Sequence, residues 1–276
     1  SGMQPDWEKV KAELPAFDKP EATRSCGGKI LNAIAKVMPN IMSGSADLAP
    51  SCKTEILGQE YFSPEHREGC NIHFGIREHA MAAICNGIQL HGGLKAVCST
   101  FFSFTDYMKG GIRMTALMNI PVLYVMTHDS IGVGEDGPTH QPMEQLISLR
   151  SIPNINVYRP CDGGETMAAF KCAFTDSCPS VIVETRQNLP AYEHAEQDAE
   201  RGAYVLSDCN GKPDVLLIGT GSEIEVCMNA KNLLARDGIK AKVVSMVSIE
   251  KFEQQDEEYR DGVIDRDVKA RVCVEA

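Results

Sequence analysis

The 276-residue chain carries 27 Lys and Arg against 38 Asp and Glu, a net charge of −11 that argues against a broad grip on nucleic acid or anionic membrane. Hydrophobic residues at 43% and charged residues at 24% suit a folded chain long enough for about two domains. No stretch approaches the ~20 apolar residues of a membrane span, and no basic-then-apolar export signal opens the sequence.

Ser1-Gly2-Met3 reads as a cleavage remnant, and residues 1–21 are expected to be an N-terminal linker. From there, apolar β-rich runs alternate with helical patterns, as in a parallel sheet wrapped by helices, and this α/β domain is placed over 22–187. Its strands are predicted at Ile41 to Ser43, Ile72 to Gly75, Ala96 to Ser99, Val122 to Thr127, Ile155 to Tyr158 and Val181 to Thr185. The clearest helices are predicted over Glu78 to Leu90, Phe104 to Met118, Gln141 to Arg150 and Glu165 to Thr175, the last opened by Gly163-Gly164.

Residues 188–202 turn polar and acidic around Pro190 and are taken as a linker. A second, incomplete α/β domain is placed over 203–276. It has a strand at Asp214 to Ile218, a helix at Ser222 to Arg236 ended by Asp237-Gly238, and a strand at Ala241 to Val247. The Gly219-Thr220-Gly221-Ser222 turn lacks the fuller Gly-x-Gly-x-x-Gly pattern and reads as a tight turn into a helix rather than a nucleotide loop. Ala270 to Ala276 reads as a strand, and a chain that stops in a strand is expected to be truncated.

Eleven cysteines without a Cys-x-x-Cys pair fit reduced thiols of the cytoplasm, most of them filling the core. His66, Cys70, His73 and His79 raise the question of zinc, but they straddle a predicted strand and helix, so convergence is not implied and no metal is assigned. In open parallel sheets, ligands gather beyond the carboxyl ends of the strands. Four such ends lead into Ser43-Gly44-Ser45-Ala46-Asp47, Gly75-Ile76-Arg77-Glu78-His79, Ser99-Thr100-Phe101-Phe102 and Thr127-His128-Asp129-Ser130, which makes that edge the candidate site.

The run His128-Asp-Ser-Ile-Gly-Val-Gly-Glu-Asp-Gly-Pro-Thr-His-Gln-Pro142 resembles transketolase. Gly44-Ser-Ala-Asp-Leu48, Gly75-Ile-Arg-Glu-His79, Ser99-Thr-Phe-Phe-Ser-Phe104 and Arg186-Gln-Asn-Leu-Pro190 stand in that family's order. The resemblance implies a pyrimidine-binding domain followed by part of a C-terminal domain. It also implies thiamine diphosphate, whose diphosphate and Mg2+ or Ca2+ would be held by a partner domain or subunit. This sequence carries no Gly-Asp-Gly, and Asp136-Gly137 belongs to the substrate loop.

What the resemblance implies for single residues begins with Glu78, which would hydrogen-bond the aminopyrimidine ring nitrogen and favour the imino tautomer that removes the thiazolium proton. A carboxyl group at a dry interface favours its neutral, donating form; without the resemblance, Glu78 is a first-turn glutamate favoured by the helix dipole. Phe104 matches the ring that stacks on the pyrimidine, with Phe101 and Tyr107 completing the pocket, although such a stripe by itself is ordinary core. Asp47 matches a carboxylate near the thiazolium, and alone would be a turn former. Arg24, Ser51, His128 and Arg186 match contacts to a sugar phosphate, Asp136 a group reading an acceptor hydroxyl, and His140 a catalytic histidine near the reacting carbon. Each of these is unremarkable alone.

The implied reaction is transfer of a two-carbon ketol unit from a ketose phosphate to an aldose phosphate, a step of the pentose phosphate pathway. The implied assembly is a homodimer or a paired heterotetramer with a diphosphate-binding half, and this chain alone would be inactive. Dihydroxyacetone synthase, deoxyxylulose phosphate synthase, a 2-oxoacid dehydrogenase subunit and a non-catalytic assembly subunit are the alternatives. The Asp136/His140 pair favours transketolase, and the acid at position 78 speaks against a non-catalytic descendant.

Overall fold

A computed structural model describes residues 4–194 and 196–276, so the N-terminal tripeptide and Ala195 of the expected linker lie outside the described residues. Helices α1 (Trp7–Ala12) and α2 (Thr23–Val37) precede β1 (Ile41–Ser45), α3 (Ala49–Cys52), β2 (Asn71–His73), α4 (Glu78–His91) and β3 (Lys95–Phe101). A 3-10 turn, Phe102–Tyr107, joins β3 to α5 (Lys109–Leu117). Then come β4 (Leu123–Thr127), two short 3-10 turns at Ile131–Val133 and Pro138–His140, α6 (Gln145–Arg150), β5 (Asn156–Tyr158), α7 (Gly163–Thr175) and β6 (Ser180–Glu184).

These strands form one parallel sheet in the order β2-β1-β3-β4-β6-β5. Both faces are covered, which is why its strands read as continuous apolar runs. Along β4 the side chains alternate: Leu123 and Val125 join one core with Ile30, Leu31 and Ile34 of α2 and Phe170 of α7, while Tyr124 and Met126 join another with Met81, Cys85 and Ile112. Ile30, Leu31 and Ile34 are fully buried, each stabilising the fold by roughly 1.5–3 kcal/mol.

A second unit follows α8 (Glu196–Glu200): β7 (Ala203–Ser207), β8 (Val215–Gly219), α9 (Glu223–Arg236), β9 (Ala241–Met246), α10 (Ile249–Glu253), α11 (Glu257–Val263) and β10 (Ala270–Val274). Its sheet order is β10-β8-β9-β7, parallel except for β7, which runs antiparallel to β9. The strand expected at the end of the chain thus pairs with β8.

Several expectations need correcting. Residues 1–21 are not simply a linker, because α1 buries Val10 completely and sets Trp7 edge-on against Phe174 at 6.3 Å. The helix predicted over Phe104 to Met118 is two elements, since Phe104 and Tyr107 are spaced three apart along a 3-10 turn and α5 starts only after Met108. Pro142 holds Gln141 in an extended conformation (φ −92°, ψ 103°), so α6 begins at Gln145 rather than Gln141. Strand β2 ends at His73 because Gly75 turns the chain at φ +67°. The 188–202 stretch holds α8, and Leu189 exchanges backbone hydrogen bonds with Glu21.

All eleven cysteines are free and seven are buried. Among the described residues, no helix is long and apolar enough to cross a membrane.

Candidate functional site

The carboxyl ends of β2, β1, β3 and β4 lie side by side, so the segments leaving them share one edge. Two of the exits are bent sharply: Asp47 after β1 and His128 after β4 adopt left-handed backbone conformations at φ +64° and +63°. Such conformations cost energy in non-glycine residues and concentrate at working sites.

The 3-10 turn Phe102–Tyr107 is the hub of the edge, packing against α4, α5, α6 and the Pro138–His140 turn. Around it the rings form a continuous set. Phe101 lies 5.9 Å from Phe104 and 3.6 Å from His128, Phe104 lies 6.1 Å from Tyr107, and His140 meets Phe104 and Phe101 edge-on at 5.3 and 5.8 Å. Phe101 is buried, Phe104 is half-buried and Tyr107 is 67% exposed, so the set opens from a dry floor to an accessible lip. A flat heteroaromatic ring fits such a surface by offset stacking.

The charged side adjoins it. Arg24 on α2 donates to the backbone oxygen of Ser51 at 2.8 Å, while Arg186, just beyond β6, stands 3.9 Å from Asp136 and 3.6 Å from Glu135. Burial, with Arg186 nearby, lowers the pKa of Arg24 from its ordinary value. Two guanidinium groups held close with incomplete carboxylate compensation suit a dianion such as a phosphate ester. Burial, reinforced by Arg24, pushes the pKa of His128 down to about 4, against the pull of Asp136. His128 is therefore a neutral imidazole at pH 7. Its Nδ1 pairs with Thr127 Oγ1 at 2.9 Å, and Nδ1 of His140 pairs with Thr139 Oγ1 at 2.9 Å, which leaves Nε2 of each ring for a ligand.

Phe101, Phe104, Tyr107, His128 and His140 are thus one cluster, with Arg24, Ser51, Asp136 and Arg186 beside it. Glu78 is buried at the start of α4, and Asp47 is exposed at the exit of β1. Among the described residues, no hydrogen bond, ion pair or ring contact joins either acid to that cluster. Their relation to it is through the shared edge and the packing of α4 on the hub. The described residues hold no group of three or more His, Cys, Asp or Glu arranged for a metal ion.

Three neighbours escaped the sequence reading. Asp129 and Arg159 form a buried ion pair at 2.7 Å directly behind His128. Glu184, at the end of β6, is fully buried with neither carboxylate oxygen hydrogen-bonded, and burial raises its pKa well above the ordinary carboxylate range. The available signal was a charged residue inside or beside an apolar strand run, as in Val181-Ile182-Val183-Glu184.

Comparison with known proteins matches both units of the chain. A family model described as transketolase, pyrimidine binding domain, matches residues 19–191, and one described as a transketolase-like C-terminal domain matches 202–276. A transketolase of Halalkalibacterium halodurans is 50% identical over 98% of this chain and 41% of its own length, and a chloroplastic transketolase of Arabidopsis thaliana is 48% identical over 98% and 37%. The chain therefore spans about two fifths of the length of these relatives. A crystal structure of a transketolase variant from Pichia stipitis superposes with a TM-score of 0.94 at 40% identity, covering 100% of this chain and 42% of that one. A structure described as a split gene transketolase, an inactive beta4 tetramer, superposes with a TM-score of 0.67 at 27% identity over 83% of this chain and 71% of its own.

Proposed function

The chain belongs to the transketolase family, and on that premise we propose that it supplies the aminopyrimidine and sugar-phosphate half of a thiamine diphosphate-dependent ketol transferase. The complete enzyme moves a two-carbon ketol unit from a ketose phosphate to an aldose phosphate, in company with a diphosphate-binding domain or subunit that holds Mg2+ or Ca2+. The observation that carries this reading is the junction of a half-open aromatic set with a paired-guanidinium niche on one sheet edge. A flat cofactor ring and a phosphorylated sugar are the two ligands such neighbouring surfaces suit.

When bound, thiamine diphosphate supplies the carbanion chemistry. Phe104 would stack on the pyrimidine, with Phe101 as floor and Tyr107 as lip, a contact worth roughly 0.5–1.5 kcal/mol beyond burial. Glu78, buried at the first turn of α4, would hydrogen-bond the aminopyrimidine ring nitrogen, and Asp47 would stand toward the thiazolium side. Arg24, Arg186, Ser51 and neutral His128 bind the sugar phosphate, and Asp136 reads an acceptor hydroxyl. His140, fixed through Thr139, moves a proton near the reacting carbon through Nε2.

The assembly is a homodimer of the complete enzyme or a heterotetramer with a separate diphosphate-binding subunit. One relative is described as a split gene transketolase, an inactive beta4 tetramer, which supports a division of the enzyme between chains. The working compartment is the cytoplasm. The reading is tested by pairing the chain with a diphosphate-binding half, thiamine diphosphate and Mg2+, and comparing turnover of xylulose 5-phosphate, a ligand of a related solved transketolase, with that of pyruvate. Turnover of the ketose phosphate is expected; activity on pyruvate alone would replace this reading with a 2-oxoacid enzyme.

A further inference from the structure

Asp129 follows His128 directly in the chain, yet its side chain serves a different part of the molecule. Its Oδ2 accepts from Arg159 Nε at 3.1 Å and Nη2 at 2.7 Å, and both side chains are completely buried. Arg159 stands just past β5 in the first domain, but most of its remaining partners belong to the turn between β8 and α9 in the second. Nη1 donates to the backbone oxygen of Thr220 at 3.1 Å and to the Glu223 carboxylate, and Nη2 donates to Ser222 Oγ at 3.2 Å.

The backbone of Arg159 is gripped as well. Its N–H donates to the Val247 oxygen at 2.8 Å, while its own oxygen accepts from Gly221 N at 3.0 Å and from Thr220 Oγ1 at 3.2 Å. The grip needs glycine at 221: the residue sits at φ +54°, and a Cβ there would lie 2.9 Å from Arg159 Cγ. The glycine turn weighed against a nucleotide loop from its sequence is therefore filled by an arginine of the neighbouring domain.

Domain glue alone does not account for where this grip ends. A fully buried guanidinium between two carboxylates is costly to assemble and fixes geometry better than it adds stability. This one terminates on the residue after His128, whose backbone is held in a left-handed conformation that ordinary packing disfavours. We propose that the Thr220–Glu223 turn of the second domain, acting through Arg159 and Asp129, positions His128, so that the second domain sets the affinity of the site for the phosphate of its sugar. The proposal rests on the reading above that His128 meets that phosphate. Asp129, Arg159 and Glu223 are positioning residues, since all three are buried and spend their side chains on one another and on the Thr220–Glu223 turn.

The test uses the chain assembled with its diphosphate-binding half and compares Asp129→Asn, Arg159→Lys and the milder Glu223→Gln. KM for xylulose 5-phosphate is expected to rise about 10- to 100-fold, the scale of an ångström-sized misplacement. Turnover of unphosphorylated hydroxypyruvate with glycolaldehyde should stay within about twofold of the parent. Equal losses on both substrate pairs with KM unchanged would mean a merely structural clamp and would overturn the proposal.

A second readout does not need activity. In nitrogen-15 spectra of the chain itself, with the His128 ring signals assigned by their loss in His128→Gln, Glu223→Gln should shift those signals although Glu223 lies in the other domain. Unmoved His128 signals in all three variants would refute the positioning role. Wild-type inactivity with the signals shifting as expected would instead count against the proposed reaction and leave the coupling in place.

Discussion

The carboxyl edge of the first sheet presents aromatic and charged side chains that stay partly open, from Phe104 and Tyr107 to Asp136 and Arg186, whereas the matching edge of the second sheet is plugged by Arg159 from its neighbour. Both are carboxyl ends of parallel strands in α/β sheets, the second sheet being mixed through its antiparallel β7, and both begin a helix straight after a glycine-bearing turn. The difference is in what the strand ends carry. Four exits of the first sheet end in Asp47, Glu78, Phe101 and His128, while β8 ends in Gly219-Thr220-Gly221-Ser222, whose small side chains and backbone oxygen enclose a cation. One architecture therefore gives a partly open aromatic and charged edge or a structural socket, depending on the residues at its exits.

The comparison can be broken most severely at Glu78. In the assembled enzyme, Glu78→Ala is expected to lower turnover by roughly 10²–10⁴-fold without altering the far-ultraviolet circular dichroism. An unchanged rate would remove Glu78 from the mechanism and leave the first edge with only its binding role.

Next in size is the socket. Arg159→Met leaves the buried Asp129 carboxylate without its cation, facing Glu223, and is expected to cost about 3–5 kcal/mol in urea unfolding. A loss under 1 kcal/mol would mean that the second edge is not held by this contact.

Glu184 sharpens the contrast from the opposite side, because its carboxyl is as buried as that of Asp129 but has no hydrogen-bond partner. It is packed so tightly under Gly27 that a Cβ there would fall within 2.1 Å of its Oε1. Glu184→Leu is expected to raise stability by about 1–3 kcal/mol at pH 7, since it removes a buried unsatisfied group. With the folded pKa raised above 4.5, the acid's own contribution is fully present below pH 4.5 and is lost as pH rises toward the folded value. The gain from leucine should therefore shrink on acidification, and a gain independent of pH would show that Glu184 is not held in its neutral form.

The last test concerns His128. Its folded pKa of about 4 lies below the ordinary 6.5, so its contribution to stability is complete above pH 6.5 and disappears as pH falls toward 4. His128→Asn, which tolerates the left-handed backbone, should remove about one proton's worth of slope from the stability profile in that window. An unchanged slope would place the imidazole in contact with water.

Much of the first sheet was legible because each buried strand is a short apolar run closed by a turn signal, as in Val122 to Thr127 or Ile155 to Tyr158. Strand β7 was not, since it is a half-exposed antiparallel edge whose partner β9 lies about forty residues on. The break between Phe104 and Met118 was hidden by a spacing of three that serves a 3-10 turn as well as an α-helix. Glu78, Asp136 and His140 could be singled out through the family's ordered motifs. The roles of Arg159 and Glu184 could not be read locally, because Asp129 and Glu223 reach Arg159 across 30 and 64 residues and the burial of Glu184 depends on Gly27.

The most direct test of the central claim, that this chain contributes the pyrimidine and sugar-phosphate edge while a partner holds the diphosphate, is calorimetric titration with thiamine diphosphate and Mg2+. The account expects feeble binding by the chain alone, tight magnesium-dependent binding once a diphosphate-binding half is added, and clear weakening of that tight binding by Phe104→Ala. Tight, magnesium-dependent binding by the chain alone would contradict it.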